Sequence, residues 1–304
     1  MRATILVNSS AGAVSSGTIT SAGIAEAFRA AGVDATVESV AGGAMAEQAR
    51  AALQSGVDAV VAGGGDGSIR CVAAVLAGTR TPLGVLPLGT LNHFARDLGI
   101  PTDLEGAARA IAAGRVRALD IGEVNGQIFV NTSCLGFYPP VVRERDRQRA
   151  HLGRGKWLAA VSALLTVLPR AHALRLSIGV DGQTLRRTTR FVFVGNNEYR
   201  MHLFTQGERK IFDSGDLYLY IVNRPSRLLL LRLALLALVK DAATAESFES
   251  FRVPAFSIEE RRKRRRPILV FLDGEVVRLD PPLRYRVRPR DLLVLAPPAA
   301  GERA

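Results

Sequence analysis

Residues 60–76 read VVAGGGDGSIRCVAAVL, three glycines, an aspartate, a fourth glycine and a serine between two apolar runs. The first run suits a buried strand and the second a helix, so the glycines fall at a strand-to-helix turn. Bare glycines there let backbone N–H groups face a cavity and let a polyanion come close. The start of the following helix adds partial positive charge, and phosphate is the obvious guest. The same residues also suit a tight turn whose Asp or Ser caps the helix. Neither the dinucleotide pattern G-x-G-x-x-G nor the Lys-Ser/Thr ending of a P-loop is present. A carboxylate beside a phosphate cradle is electrostatically unfavourable unless a cation or a proton transfer is involved. Asp66 is therefore a candidate for holding Mg²⁺ or orienting a hydroxyl nucleophile.

Outward from this loop, the first 120 residues alternate between apolar runs and helical stretches. Strands are expected at 4–7, 35–40, 59–62 and 83–86, with helices at 19–31, 44–54 and 68–77 and a further helical segment after residue 92. Such alternation predicts a parallel sheet covered on both faces, with ligands beyond the carboxyl ends of its strands. Three loops fall there: NSSAG (8–12), GGGDGS (63–68) and PLGTLN (87–92). In the last of these, Thr90 and Asn92 place short hydrogen-bonding side chains at a helix start. Beyond about residue 125 the pattern changes. QIFVNTSCLG (127–136) reads as one strand, a helix carries WLAAVSALLTVL (157–168), and β-like runs follow at 174–180, 190–197, 216–222, 267–274 and 285–289. The expectation is an α/β chain: residues 1–125 form one domain and 126–304 a β-rich antiparallel one, with the last residues able to return to the first domain.

Forty Lys and Arg against 28 acidic residues, a formal charge of +12, imply an anionic partner. Arginine concentrates in RRKRRR (261–266) and in the interrupted run 143–156, both of which also suit a solvated surface. Aromatics make up only 6% of the chain and do not interleave with the basic residues, which argues against nucleic acid. Cys71 and Cys134 lack metal-ligand spacing and read as buried thiols. The apolar stretch 228–239 contains Arg232 and is shorter than the ~20 residues that cross a bilayer.

GGGDGS followed by PLGTLNHFA resembles the diacylglycerol kinase catalytic-domain family, especially its bacterial lipid kinases, with sphingosine kinases as relatives. The likeness extends to NSSAG, to NTSCLGF (131–137) and to FLDGE (271–275). It implies a Rossmann-like ATP-binding first domain, a β-rich second domain and an active site in the cleft between them. By that resemblance Asn8, Ser39, Gly64, Gly65, Asp66, Gly67, Ser68, Thr90 and Asn92 surround ATP. Glu275 of the DGE stretch takes the hydroxyl proton, and Asp66 supports the metal–phosphate network. Read by itself, Asp-Gly is a hairpin turn signal, and Glu275 then lies in solvent.

IFDSGDLYLYIV (211–222) departs from the family's Asp-Asp-Gly, since Ser214 replaces an acid and Asp216 adds one; Asp213, Ser214 and Asp216 are the candidate cation site. The expected reaction is ATP- and Mg²⁺-dependent phosphorylation of a lipid hydroxyl, diacylglycerol first, within phospholipid metabolism. A sphingoid base, a soluble hydroxyl such as that of NAD, and a non-catalytic membrane or nucleotide sensor remain alternatives. The protein is expected in the cytoplasm, peripheral to the inner face of an anionic membrane, and the sequence leaves a homodimer open.

Overall fold

The computed structural model describes residues 1–152, 156–180, 182–197, 213–222, 248–261 and 266–297. The chain divides into two compact units, Met1–Ile121 with Arg288–Ala304, and Gly122–Val287.

The first unit runs β1 (Arg2–Asn8), α1 (Gly12–Ser15), α2 (Ser21–Ala30), β2 (Asp34–Val40), α3 (Met45–Gln54), β3 (Ala59–Gly64), α4 (Asp66–Leu76), β4 (Leu83–Pro87), α5 (His93–Asp97), α6 (Leu104–Ala112) and most of β5 (Arg115–Val124). Side-chain caps fix two helix starts: Thr20 Oγ1 accepts from the Gly23 N–H and Asp103 Oδ1 from that of Gly106. Strands β3 and β4 are buried at every position, which is why both read as unbroken apolar runs. Helix α2 packs with α6 and α3 with α4.

Strand order is β2-β1-β3-β4 with parallel pairing, and Val294 near the chain's end pairs with Leu83 of β4. The chain thus leaves β1 to one side for β2 and returns to its other side for β3. That reversal is a topological switch point, where ligands of open α/β sheets bind. Register brings the loops together, because Asn8 stands beside Val40, Val7 beside Gly63, and Gly64 beside Pro87.

The second unit takes up the end of β5 and continues through β6 (Gln127–Phe129), β7 (Thr132–Gly136), α7 (Tyr138–Leu152), α8 (Lys156–Val167), β8 (Leu174–Val180), β9 (Gln183–Thr189), β10 (Phe191–Asn196), β11 (Leu217–Val222), β12 (Phe248–Val253), β13 (Ala255–Glu260), β14 (Ile268–Leu272), β15 (Glu275–Leu279) and the first half of β16 (Leu283–Ala296). One sheet has the order β16-β13-β8-β9 and the other β12-β11-β10-β7-β14-β15, antiparallel throughout. Alternate residues of both, such as Ile178, Ile258 and Tyr285 against Val192, Leu219 and Val270, form the core between them. A second cluster, including Phe137, Leu164, Leu168 and Phe191, lies under α7 and α8.

QIFVNTSCLG is two strands rather than one. The Asp273 carboxylate accepts the N–H groups of Val130, Asn131 and Thr132, diverting three consecutive donors from any ladder. The apolar stretch 228–239 and residues 262–265 of the basic run lie outside the described residues. Among the described residues no helix is long and apolar enough to cross a membrane.

Candidate active site

In the first unit, two loops meet main chain to main chain at the switch point. Gly65 is the N-cap of α4, with extended backbone and no side-chain cap. The N–H groups of Leu88 and Gly89 both donate to the Gly64 carbonyl at 3.1 Å. A Cβ on Gly89 would stand 2.4 Å from Gly65 Cα, and one on Gly64 would stand 2.7 Å from the Ser68 side chain. Neither position has room for any other residue.

Side chains lock this geometry. Asn8, at the end of β1, donates from Nδ2 to Ser68 Oγ at 2.8 Å and accepts from the Ser10 N–H at Oδ1. Ser68 is thereby an acceptor from Asn8 while its own hydroxyl proton can point elsewhere. The Asp66 carboxylate accepts from the N–H groups of Phe94 at 3.1 Å and His93 at 3.3 Å. It therefore caps the neighbouring helix α5 rather than its own, tying the glycine loop to PLGTLN across 27 residues of chain. Asn92 has left-handed backbone, φ 50°, and its Nδ2 donates to the carbonyls of Gly89 and Pro87. Its side chain folds the loop on itself, so Thr90, exposed, and the main-chain N–H groups are what the loop can offer an anion. Gly67 is half-buried at the start of α4, and Ser39 is exposed on β2 opposite Val7.

The second unit holds the remaining candidates. Asp273 and Gly274, both with positive φ, make the two-residue turn between β14 and β15, with Leu272 opposite Glu275. Glu275 is the exposed first residue of β15. Its placement depends on Asp273, 3% exposed, whose carboxylate oxygens lie 2.6–2.9 Å from the three amide nitrogens of the Val130–Thr132 segment. FLDGE and NTSCLGF are thus one hydrogen-bonded assembly, and Asp273 is the residue that sequence reasoning overlooked. An Asp in the first position of the hairpin turn was the available signal, but turn chemistry alone sufficed to explain it.

Asp213 is exposed, Ser214 donates both its N–H and its hydroxyl to Asn197 Oδ1, and Asp216 pairs with Arg252 at 2.6 Å. No group of three or more His, Cys, Asp or Glu side chains gathers into a metal site among the described residues. Close to the Asp273 assembly, burial pushes the Cys134 thiol well above its ordinary value, with the Asp273 charge adding to the effect.

Comparison with known proteins shows what the first unit is similar to. The model of the diacylglycerol kinase catalytic domain matches residues 2–124. A protein named "Probable lipid kinase YegS-like" from Klebsiella pneumoniae (strain 342) is 42% identical over 128 residues, 41% of each chain. A protein of the same name from Pseudomonas syringae pv. tomato is 46% identical over 130 residues, 42% of this chain and 41% of its own length. The aligned part therefore spans about two fifths of these relatives. A diacylglycerol kinase structure from Bacillus anthracis str. Sterne covers 98% of both chains with a TM-score of 0.71 at 24% identity, a likeness of fold. The likeness to the diacylglycerol kinase catalytic domain thus covers residues 2–124, less than half of the chain.

Proposed function

We propose that the chain is an ATP- and Mg²⁺-dependent lipid kinase that transfers the γ-phosphoryl group to a lipid hydroxyl, diacylglycerol being the first candidate. The observation that carries this reading is the pair of loops packed backbone to backbone at the switch point, where only glycine fits and main-chain N–H groups can hold phosphate oxygens. The match of residues 2–124 and the names of the relatives support the reaction class.

In the proposed reaction the acceptor hydroxyl oxygen bonds to the γ-phosphorus, the bond from that phosphorus to the β–γ bridging oxygen breaks, and ADP leaves. The hydroxyl proton passes to the Glu275 carboxylate. Asp66 holds the two phosphate loops in register through His93 and Phe94, a positioning role that also sets its charge beside the phosphates. Asn8, Ser39, Gly67, Ser68, Thr90 and Asn92 shape or line the nucleotide site. Mg²⁺ arriving with the nucleotide supplies charge neutralisation. A cation at Asp213, Ser214 and Asp216 would have to displace the Arg252 ion pair.

Substituting Glu275→Gln tests the assignment. Turnover should be lost while ATP affinity, measured by calorimetry, stays within about twofold, because the proton acceptor alone is removed. Unchanged turnover would move the base role to Asp66.

A further inference from the structure

The second unit carries a cationic sheet face that the reaction proposed above does not use. In the sheet β16-β13-β8-β9, Leu176, Ile178, Ile258 and Tyr285 turn into the core. The residues between them face outward, and none of Arg175, Ser177, Gly179, Arg186, Ser257 and Arg284 is buried. Register sets the arginines around a patch of small residues: Arg186 stands opposite Ser177, and Ser257 lies between Gly179 on one side and Arg284 on the other. An open trough of about 640 Å³ lies there, lined also by Glu123, Ala255 and Arg286. Just past β13, the exposed Arg261 donates its N–H to the Arg175 carbonyl at 2.7 Å, which makes two arginines cross-strand neighbours. Like charges so placed repel and cost stability. The guanidinium groups of Arg175, Arg186, Arg261 and Arg284 make no hydrogen bond or ion pair among the described residues. The acids of the face do not serve them: Arg286 grips Glu123 at 2.8 and 3.0 Å, and Glu259 interacts elsewhere.

We propose that this face docks an Asp- and Glu-rich segment of a partner protein, its carboxylates pairing with Arg175, Arg186, Arg261 and Arg284 while its main chain crosses the trough over Gly179 and Ser257. A guanidinium fork matches a carboxylate bidentately. Arg175 and Arg284 stand four residues and two strands apart, roughly 16 Å, the span of about five residues of extended chain. Small residues keep the trough open, since a Cβ on Gly179 alone would stand 2.8 Å from the Ser257 hydroxyl. A bilayer fits this face poorly, because none of the five exposed large apolar side chains of the described residues lies on it to enter the acyl boundary. Nucleic acid fits poorly too. The rings of these strands, Phe256 and Tyr285, are 5% and 2% exposed and offer no base a stacking surface. Pairs between exposed charges are individually weak and screened by salt, so the complex is transient.

The test is fluorescence anisotropy of the full chain with a labelled peptide of alternating Asp and Glu, and with its Asn/Gln counterpart, at low salt. No nucleotide or lipid is present, so the readout is separate from phosphoryl transfer. The acidic peptide should bind, the neutral one should not, and high salt should release the complex. R175Q/R284Q should lower the affinity about fivefold, two exposed ion pairs being lost. R143Q/R170Q removes the same charge from exposed positions outside this face and should stay within about twofold of the wild type. S257F covers the trough without changing charge and should weaken binding by a factor comparable to R175Q/R284Q. Unchanged thermal midpoints confirm that the variants fold; should R175Q/R284Q unfold, each single substitution should still weaken binding. No binding by the wild type, an equal loss in the two charge variants, or full affinity in S257F would overturn the proposal. So would a dimer of the chain that R175Q/R284Q dissolves, or flotation on phosphatidylglycerol vesicles that R175Q/R284Q abolishes while the peptide still binds.

Discussion

Replacing Asp273 by Asn probes how the second unit holds its acid in place. The native carboxylate, 3% exposed, accepts N–H groups from Val130 at 2.6 Å, Asn131 at 2.9 Å and Thr132 at 2.8 Å. One oxygen serves Val130 and the other serves Asn131 and Thr132. Asparagine keeps the volume but has only one acceptor oxygen. With that oxygen facing Asn131 and Thr132, its amide group meets the Val130 N–H donor to donor. One charge-assisted bond is lost, two lose their charge, and a buried N–H is left unpaired, which together cost about 2–4 kcal/mol. Alanine removes all three acceptors and should cost more, about 4–6 kcal/mol, a large share of a typical domain's total stability. Urea unfolding of the full chain followed by circular dichroism reads these values directly. In the Asn variant kcat should also fall while the KM for ATP changes little, because the turn that carries Glu275 loosens and the phosphate loops do not. A midpoint shift equivalent to less than about 0.5 kcal/mol, with kcat intact, would refute the claim that this carboxylate organises NTSCLGF and FLDGE.

Three further outcomes are expected. Gly89→Ala puts a Cβ 2.4 Å from Gly65 Cα and must part the two loops, so kcat/KM should drop by about 100-fold with the fold retained; steady-state kinetics with normal values would contradict the backbone contact. The Arg187–Glu249 pair holds the Glu249 carboxyl below its ordinary value through the Arg187 hydrogen bond, opposed by burial. A lowered folded value gives stability that is present above the unfolded carboxylate range and lost as pH falls through the lower folded one. Glu249→Gln should therefore cost up to about 1 kcal/mol at pH 7, the pair being partly exposed, and nothing in strong acid; a deficit that persists there would exclude the ion pair as its cause. Finally, a thiol reagent should leave Cys134 untouched at neutral pH in the native protein and modify it after denaturation, as its burial requires. Rapid native labelling of Cys134 would contradict its packing.

The first unit was legible because its signals are local. The unbroken apolar runs of β3 and β4 and the glycines at their ends depend on neighbouring residues, and the structure places both strands within two residues of the sequence boundaries. The meaning of Asp66 was less accessible. A carboxylate at a helix start reads as that helix's cap, and only the fold shows that its partners are His93 and Phe94. In the second unit, strands β8 and β11 stood out by alternation, but β9 (QTLRRTT) has mostly polar residues and left no apolar period to read. Helix α7 was hidden by its composition. Its prolines sit in the first turn, where a missing N–H is harmless, and its middle is a run of charges. Asp273 was misread for a different reason: its three partners lie more than 140 residues away in sequence.

Incubating the protein with γ-labelled ATP, Mg²⁺ and a panel of dispersed diacylglycerol, a sphingoid base, phosphatidylglycerol and NAD tests the proposed reaction most directly. Label should appear in a lipid product, diacylglycerol foremost, and vanish when Glu275 is replaced by Gln. Transfer to NAD and to no lipid, or no transfer to any acceptor by a protein that binds ATP, would contradict it.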